Sequence, residues 1–200
     1  MIATHNRKKA DEMATILSAL MPEVEILTLA DYPNAPEPEE NGTTYAENAS
    51  IKAESAAGVT REWALADDAG LEIDALNGEP GLHSKRFEGE NTPFSIKMAR
   101  ILERMKDVPE EKRTARFRCC VALARAGDQT KIFEATCEGR VAREPRGEGG
   151  FGYDPIFFLP ERNRTMAELT PKQKHEISHR GKALRAFAAW VKGERGEGRG

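Results

Sequence analysis

Apolar side chains at Ala10, Met13, Ala14, Leu17 and Leu20 recur at helical spacing, and Asn6 just ahead suits the helix N-cap. Before it, Met1-Ile2-Ala3 leaves room only for a stub of strand. Val24–Leu29 alternates like a strand, and Ala30–Gly42 reads as a loop rich in Pro, Asp and Glu. Thr44-x-x-Glu47 is a capping-box pattern opening a helix that runs to about Gly58. Trp63–Asp67 predicts a short apolar strand ending on two acids, with Leu71–Leu76 its partner after a turn at Asp68–Gly70.

Leu76–Asn91 is a loop holding Gly78-Glu-Pro-Gly81. Thr92 then offers an N-cap and Pro93 a first helical residue, for a helix to about Lys106. Ala115, Phe117, Cys119, Val121 and Leu123 alternate along a strand with one strongly buried face. A turn at Gly127-Asp128 joins it to a second strand, Thr130–Val141, in a long antiparallel hairpin. Arg146–Asp154 is a glycine-rich loop, and Thr170-Pro171 with Gln173 starts another helix. Ala183, Leu184, Phe187, Ala188 and Val191 mark a last amphipathic helix, followed by Lys192–Gly200, predicted as a disordered tail. Helices and strands mixed throughout, with one long hairpin, point to an α/β protein with a mixed sheet and flanking helices.

Composition narrows the function. The 200 residues suit one domain, over residues 1–191, or one with two lobes. The net charge is −3, from 30 Lys and Arg against 33 Asp and Glu. A mildly acidic chain is poorly suited to nucleic acid, where binding rests on neutralising phosphates. It still allows a local basic pocket for one small polyanion. No apolar run nears the length of a membrane helix, and Met1–Lys9 has no apolar signal core. Cys119, Cys120 and Cys137 are odd in number and form no CxxC, so free thiols in a reducing cytoplasm are expected.

Five segments carry candidate chemistry. Thr4-His5-Asn6-Arg7-Lys8-Lys9 lies at a helix N-terminus, where free amides and the dipole favour an anion. It lacks the glycines of a Walker-type loop, and a capped helix with a solvated basic first turn is the alternative. Asp67-Asp68-Ala69-Gly70 is either an acidic turn or a carboxylate site for a hard cation such as Mg2+ with substrate phosphates. Glu37, Glu39 and Glu40 are a solvated loop or complete that site. The glycines of Gly147–Asp154 precede Tyr153-Asp154-Pro155 rather than a helix, so the dinucleotide-binding context fails. A loop that brings Phe151 and Tyr153 to a flat ligand remains, beside a plain connector. Ile177-Ser-His179-Arg180-Gly181, with Lys172 and Lys174 upstream, offers an arginine fork for phosphate or a purine edge, or else a structural surface.

In this order the segments resemble the inosine/xanthosine triphosphate pyrophosphatase family. The resemblance runs from Ala3 to about Leu184. It rests on Thr4-x-Asn6-x-x-Lys9, on Gly42-x-Thr-Tyr-x-Glu-Asn-Ala49 with Lys52, and on Ala66-Asp-Asp-x-Gly-Leu71. Gly81-x-x-Ser-x-Arg-Phe87, Gly149-Gly-Phe-Gly-Tyr-Asp-Pro155, Ala167-Glu-Leu169 and Ile177-Ser-His-Arg-Gly181 complete it. It implies a two-lobed mixed α/β fold with a nucleotide cleft between the lobes, a homodimer, and Mg2+-dependent hydrolysis of ITP, dITP or XTP to the monophosphate and pyrophosphate. By motif position it implies that Thr4, His5, Asn6, Arg7, Lys8, Lys9 and Lys52 hold the triphosphate, with Ala69 beside it. It makes Asp68 the general base and a metal ligand, with Glu40 the other ligand. Phe151, Gly152, Tyr153, Asp154, Lys174, His179 and Arg180 would hold base and sugar.

Three positions depart from the family pattern: His5 and Lys8 stand where glycines are usual, and Ala69 where serine is usual. A glycine-specific backbone at residue 5 would strain His5. These departures support an alternative, a nucleotide-binding protein that has lost turnover. Another keeps the chemistry and changes the base preference.

Overall fold

The computed structural model describes residues 1–32 and 35–197, the last three as backbone alone. Among the described residues five α-helices and five strands follow in this order: α1 (Arg7–Leu20), α2 (Tyr45–Thr60), β1 (Ala64–Ile73), α3 (Phe94–Arg104), β2 (Thr114–Ala124), β3 (Lys131–Val141), β4 (Phe157–Leu159), β5 (Arg164–Thr165), α4 (Pro171–Ile177) and α5 (His179–Glu197). The strands form an antiparallel sheet in the order β1-β2-β3-β4-β5. Ile2 adds parallel bridges to Leu65 and to Thr28, which give the expected strand stub and the mixed character.

The chain divides into two compact units. The first holds Met1–Asp68, Cys119–Ala135 and the chain from His179 onward. In it α1 packs on α5, burying Met13, Ile16 and Leu17 of one and Ala183, Leu184 and Phe187 of the other. The second holds Ala69–Arg118 and Thr136–Ser178. Its core gathers Leu71, Ile73, Ile101, Phe117, Ile156 and Phe157.

Local chemistry sets the helix starts. Asn6 accepts from the Lys9 amide, Thr44 from that of Glu47, and Thr170 from that of Gln173. Each satisfies one orphan N–H of a first turn. α2 runs past Gly58 to Thr60 and ends on Arg61 in the left-handed region. α3 begins one residue later than expected: Pro93 is its N-cap, and the Thr92 hydroxyl donates to the Glu88 carbonyl instead.

Other expectations are corrected. Val24–Leu29 is no strand; only Thr28 bridges, because its neighbour is a three-residue stub that offers little ladder. Asp68–Gly70 is no turn. β1 runs straight through it to Ile73, almost wholly buried, because buried cations compensate both acids. α5 begins at His179, so the His179-Arg180 pair opens the helix rather than preceding it. The helix continues through Lys192–Glu197, where a tail was expected and Lys, Arg and Glu are good helix formers. Residues 198–200 of that tail lie outside the described residues.

Candidate functional site

In the first unit, two adjacent acids on one strand face two sets of cations. Successive side chains of a strand point to opposite faces. Asp67 Oδ2 accepts from Arg180 Nη2 at 2.7 Å and Nε at 3.1 Å, and Lys9 Nζ lies 3.3 Å away. Arg180 Nη1 donates to Glu12 Oε2 at 3.1 Å. Arg180 is 2% exposed and Asp67 1%. Burial alone would raise the Asp67 pKa, but Arg180, Lys9 and Lys52 outweigh it and hold the carboxyl far below the usual range.

Asp68 faces the other way. Its Oδ1 lies 3.1 Å from Lys52 Nζ, and Asn48 Nδ2 donates to its Oδ2 at 3.4 Å. Lys52 Nζ also lies 3.3 Å from Glu40 Oε1. Here burial prevails over Lys52 and Lys9, and the Asp68 pKa is raised. A carboxylate with a raised pKa is a stronger base than an ordinary one. The Asn48 carbonyl oxygen accepts from the Gly42 amide at 2.9 Å. A side chain at residue 42 would collide with Asn48 and Glu47, so only glycine lets the Glu40-bearing segment come this close to α2.

The residues expected from the sequence to hold phosphate open this unit. His5, Asn6, Arg7 and Lys8 are exposed at the start of α1, while Thr4 and Lys9 are half-buried. Asn6 Oδ1 caps the helix, and Thr4 Oγ1 accepts from the Asn6 amide at 3.2 Å. Among the described residues, the non-glycines with positive φ are Arg61, Asn77, Glu88 and Asn163. His5 is not one of them, so its replacement of glycine costs no backbone strain.

The second unit holds Ala69, half-buried on β1, and the glycine-rich loop. Asp154 Oδ2 accepts from the Phe151 amide at 2.9 Å and from Lys174 Nζ at 2.8 Å. The Lys174 ammonium sits 4.5 Å from the centre of the Phe151 ring, a cation–π distance. Gly150 and Gly152 flank Phe151 at φ of 70° and 69°, and a side chain on Gly150 would strike Asp154. The Tyr153 hydroxyl donates to the Ser84 carbonyl at 2.9 Å, and burial pushes its phenol pKa up.

Thus Lys9 and Arg180 meet at Asp67, Lys52 meets Asp68 and Glu40, and Lys174 meets Phe151 and Asp154. His179 is buried in the first turn of α5, beside Arg180 in sequence. Of the loop glutamates it is Glu40 that pairs with Lys52, while Glu37 and Glu39 are exposed. Asn48 and Glu12 were missed as site residues. Asn48 was within reach, since it lies one turn before Lys52 on the same helix face. Glu12 gave no signal, because its partner is 168 residues away.

The donor chemistry fits a hard divalent cation. Mg2+ uses one or two carboxylates and takes its other ligands from water and substrate phosphates. Glu40 and Asp68 supply two carboxylates aimed at one cation position, now the Lys52 ammonium. Among the described residues no group of three or more His, Cys, Asp or Glu forms an all-protein metal cage. The three cysteines are buried and outside any disulfide, and no described helix is long and apolar enough to cross a membrane.

A model of the Ham1 family matches residues 1–190. The chain belongs to the Ham1 family. Over 184 residues it is 50% identical to the dITP/XTP pyrophosphatase of Geobacillus kaustophilus, covering 92% of this chain and 89% of the relative. It is 45% identical to the dITP/XTP pyrophosphatase of Bacillus subtilis over 188 residues, 94% of each chain. Among solved structures, a HAM1 protein from Coxiella burnetii superposes with a TM-score of 0.85 at 40% identity, over 96% of both chains. The Ham1 protein of Staphylococcus aureus gives 0.86 at 36% identity, over 96% of this chain and 97% of that one.

Proposed function

We propose that this Ham1-family chain hydrolyses non-standard purine nucleoside triphosphates, ITP, dITP and XTP, to the monophosphate and pyrophosphate. The observation that carries the reading is the division of labour between the paired acids. Asp67 is locked as an anion by Arg180 and Lys9, while Asp68 is buried, raised in pKa and directed at Lys52. In the proposed reaction Asp68 takes a proton from water, whose oxygen attacks the α-phosphorus. The bond from that phosphorus to the bridging oxygen breaks, and pyrophosphate leaves. Glu40 and Asp68 would hold Mg2+, which when bound neutralises charge on the phosphate oxygens. Lys9, Lys52 and the exposed amides at the start of α1 meet the triphosphate. No covalent nucleophile is required, since phosphoryl chemistry rests on positioning and charge stabilisation.

Phe151, Tyr153 and Lys174 are assigned to the base and sugar, with His179. A 6-oxo purine needs a donor at that edge. Adenine leaves such a donor unpaired, a loss of about 1–3 kcal/mol. Arg180 serves the site by holding Asp67. We assign a homodimer in a reducing cytoplasm, checked by light scattering at twice the 22.1 kDa chain mass.

The test is pyrophosphate release from ITP, XTP, dITP, GTP and ATP, with Mg2+ and with EDTA. Metal-dependent release from the inosine and xanthosine nucleotides, with little from ATP or GTP, supports the reading. Tight ITP binding without release would replace it with a binding protein, and release from modified pyrimidine nucleotides would change the base.

A further inference from the structure

The glycine-rich loop has a second set of contacts, which neither the proposed chemistry nor the family motifs explain. They begin at a buried lysine. Lys97, on α3, is 1% exposed. Lysine is almost never buried this fully without a carboxylate partner. Among the described residues none pairs with it within 4.0 Å, although Glu90 acts on it from farther off; its ammonium donates to the Lys85 carbonyl and lies 5.1 Å from the centre of the Phe94 ring. An ammonium so desolvated is costly, so the groups that face it are held closely in place.

Both of those groups lead to the same loop. The Phe94 ring meets the Tyr153 ring edge-on, centroids 5.1 Å apart at 85°. It also lies where a side chain at residue 152 would touch it, 3.7 Å away, so it backs Gly152 directly. Lys85 follows Ser84, whose carbonyl accepts the Tyr153 hydroxyl. The Ser84 hydroxyl in turn accepts from the Leu71 amide at 2.9 Å and donates to the Gly81 carbonyl at 2.6 Å. One ammonium therefore fixes the ring that packs on Tyr153 and the backbone that accepts from it. All of these residues lie within the second unit.

We infer that Lys97 is a positioning residue for substrate recognition. Through Phe94 and the Ser84-Lys85 backbone it sets the conformation of Gly152-Tyr153, and with it the presentation of Phe151 to the nucleobase. The inference rests on the proposed reading that this loop meets the base. It explains why the Gly81-x-x-Ser84 segment accompanies the glycine-rich loop: one supplies the acceptor for the other's tyrosine. Because Phe151 orients substrate and takes no part in proton transfer, disturbing Lys97 acts on KM and leaves kcat nearly untouched.

Two variants and two measurements test this. Lys97→Met keeps the aliphatic stem and removes the ammonium. Phe94→Leu removes the ring at a residue 37% exposed, where folding is little at risk. Each is measured for ITP hydrolysis with Mg2+, and for amide hydrogen exchange at Gly150–Asp154 without nucleotide. Both variants are expected to raise KM for ITP roughly three- to tenfold with kcat within about twofold, the scale of one ordinary net interaction. Both are also expected to speed exchange in the loop while the strands stay protected. Parental KM and parental loop exchange in folded Phe94→Leu would overturn the inference, whether or not Lys97→Met folds. A kcat loss with unchanged KM would also overturn it. If the parent chain itself hydrolyses no ITP, the functional reading fails, and the exchange comparison still decides whether Lys97 holds the loop.

Discussion

Arg180→Met removes a guanidinium and leaves two carboxylates behind. The side chain of Asp67 is 0% exposed and that of Glu12 7%, so neither turns to water without moving the backbone. Removing one member of a buried ion pair costs about 3–5 kcal/mol, because the remaining charge is stranded. Lys9 stays 3.3 Å from Asp67 and offsets part of the loss, which places the expected cost near the lower end, about 3 kcal/mol. For a chain of this size that lowers Tm by roughly 6–12 °C. The assay is urea unfolding at pH 7, with the m-value watched for a change in the two-state transition. A second variant isolates the cause: Glu12→Gln added to Arg180→Met neutralises one of the two carboxylates that lost the guanidinium and should recover about 1 kcal/mol or more. Arg180→Met within about 1 kcal/mol of the parent would refute the reasoning. So would a double variant whose loss equals the sum of the singles. The motif-based alternative predicts the reverse, a large rise in KM for ITP with stability intact. It requires the guanidinium to be released from Asp67 and Glu12.

Asp68→Asn should lower kcat for ITP by about 10²–10⁴, the range of a lost general base, with the urea midpoint little changed. Retained turnover in steady-state assays removes Asp68 from the proton transfer. Tyr153→Phe should cost about 1 kcal/mol at pH 7 by leaving the Ser84 carbonyl unpaired. Burial raises the Tyr153 pKa above its usual 10.0, so the unfolded chain releases this proton first. The stability linked to it is complete below about pH 10 and is lost as pH rises beyond, a slope that Tyr153→Phe should abolish in denaturation series. Gly150→Ala should raise KM for ITP several-fold, since a methyl there strikes Asp154 and displaces the carboxylate that holds Phe151. Unchanged kinetics would show that the loop adapts.

The parts of the fold legible in the sequence are those set by near neighbours. Asn6, Thr44 and Thr170 cap helices through bonds three residues long, and the Gly127-Asp128 turn joins strands whose alternation is plain. What escaped depends on distant partners. Asp68-Ala-Gly has the local chemistry of a turn, yet it lies inside β1. The cations that let two acids sit in a buried strand come from α1, α2 and, 113 residues on, α5. The same distance hid Glu12, and it conceals that Arg180 is occupied by protein carboxylates. The ordered motifs named Glu40, Lys52 and Asp68, which the structure brings together; the contacts of Lys97 were not legible, because their acceptors are a backbone carbonyl and a ring.

The straight run of β1 through Asp67 and Asp68 has a consequence for how tolerant this strand is of insertion and deletion. Every residue of a strand changes face when register slips by one, and here a slip would move one acid into the other's setting. A one-residue insertion would bring Asp67 toward Lys52 and leave no acid before Arg180 and Lys9, whereas a deletion would bring Asp68 into their grip and put Ala69 before Lys52. The sheet could still pair, yet both electrostatic environments would hold the wrong neighbour. A length change of one residue between Ala64 and Asp67 should therefore be more damaging than most substitutions along the strand.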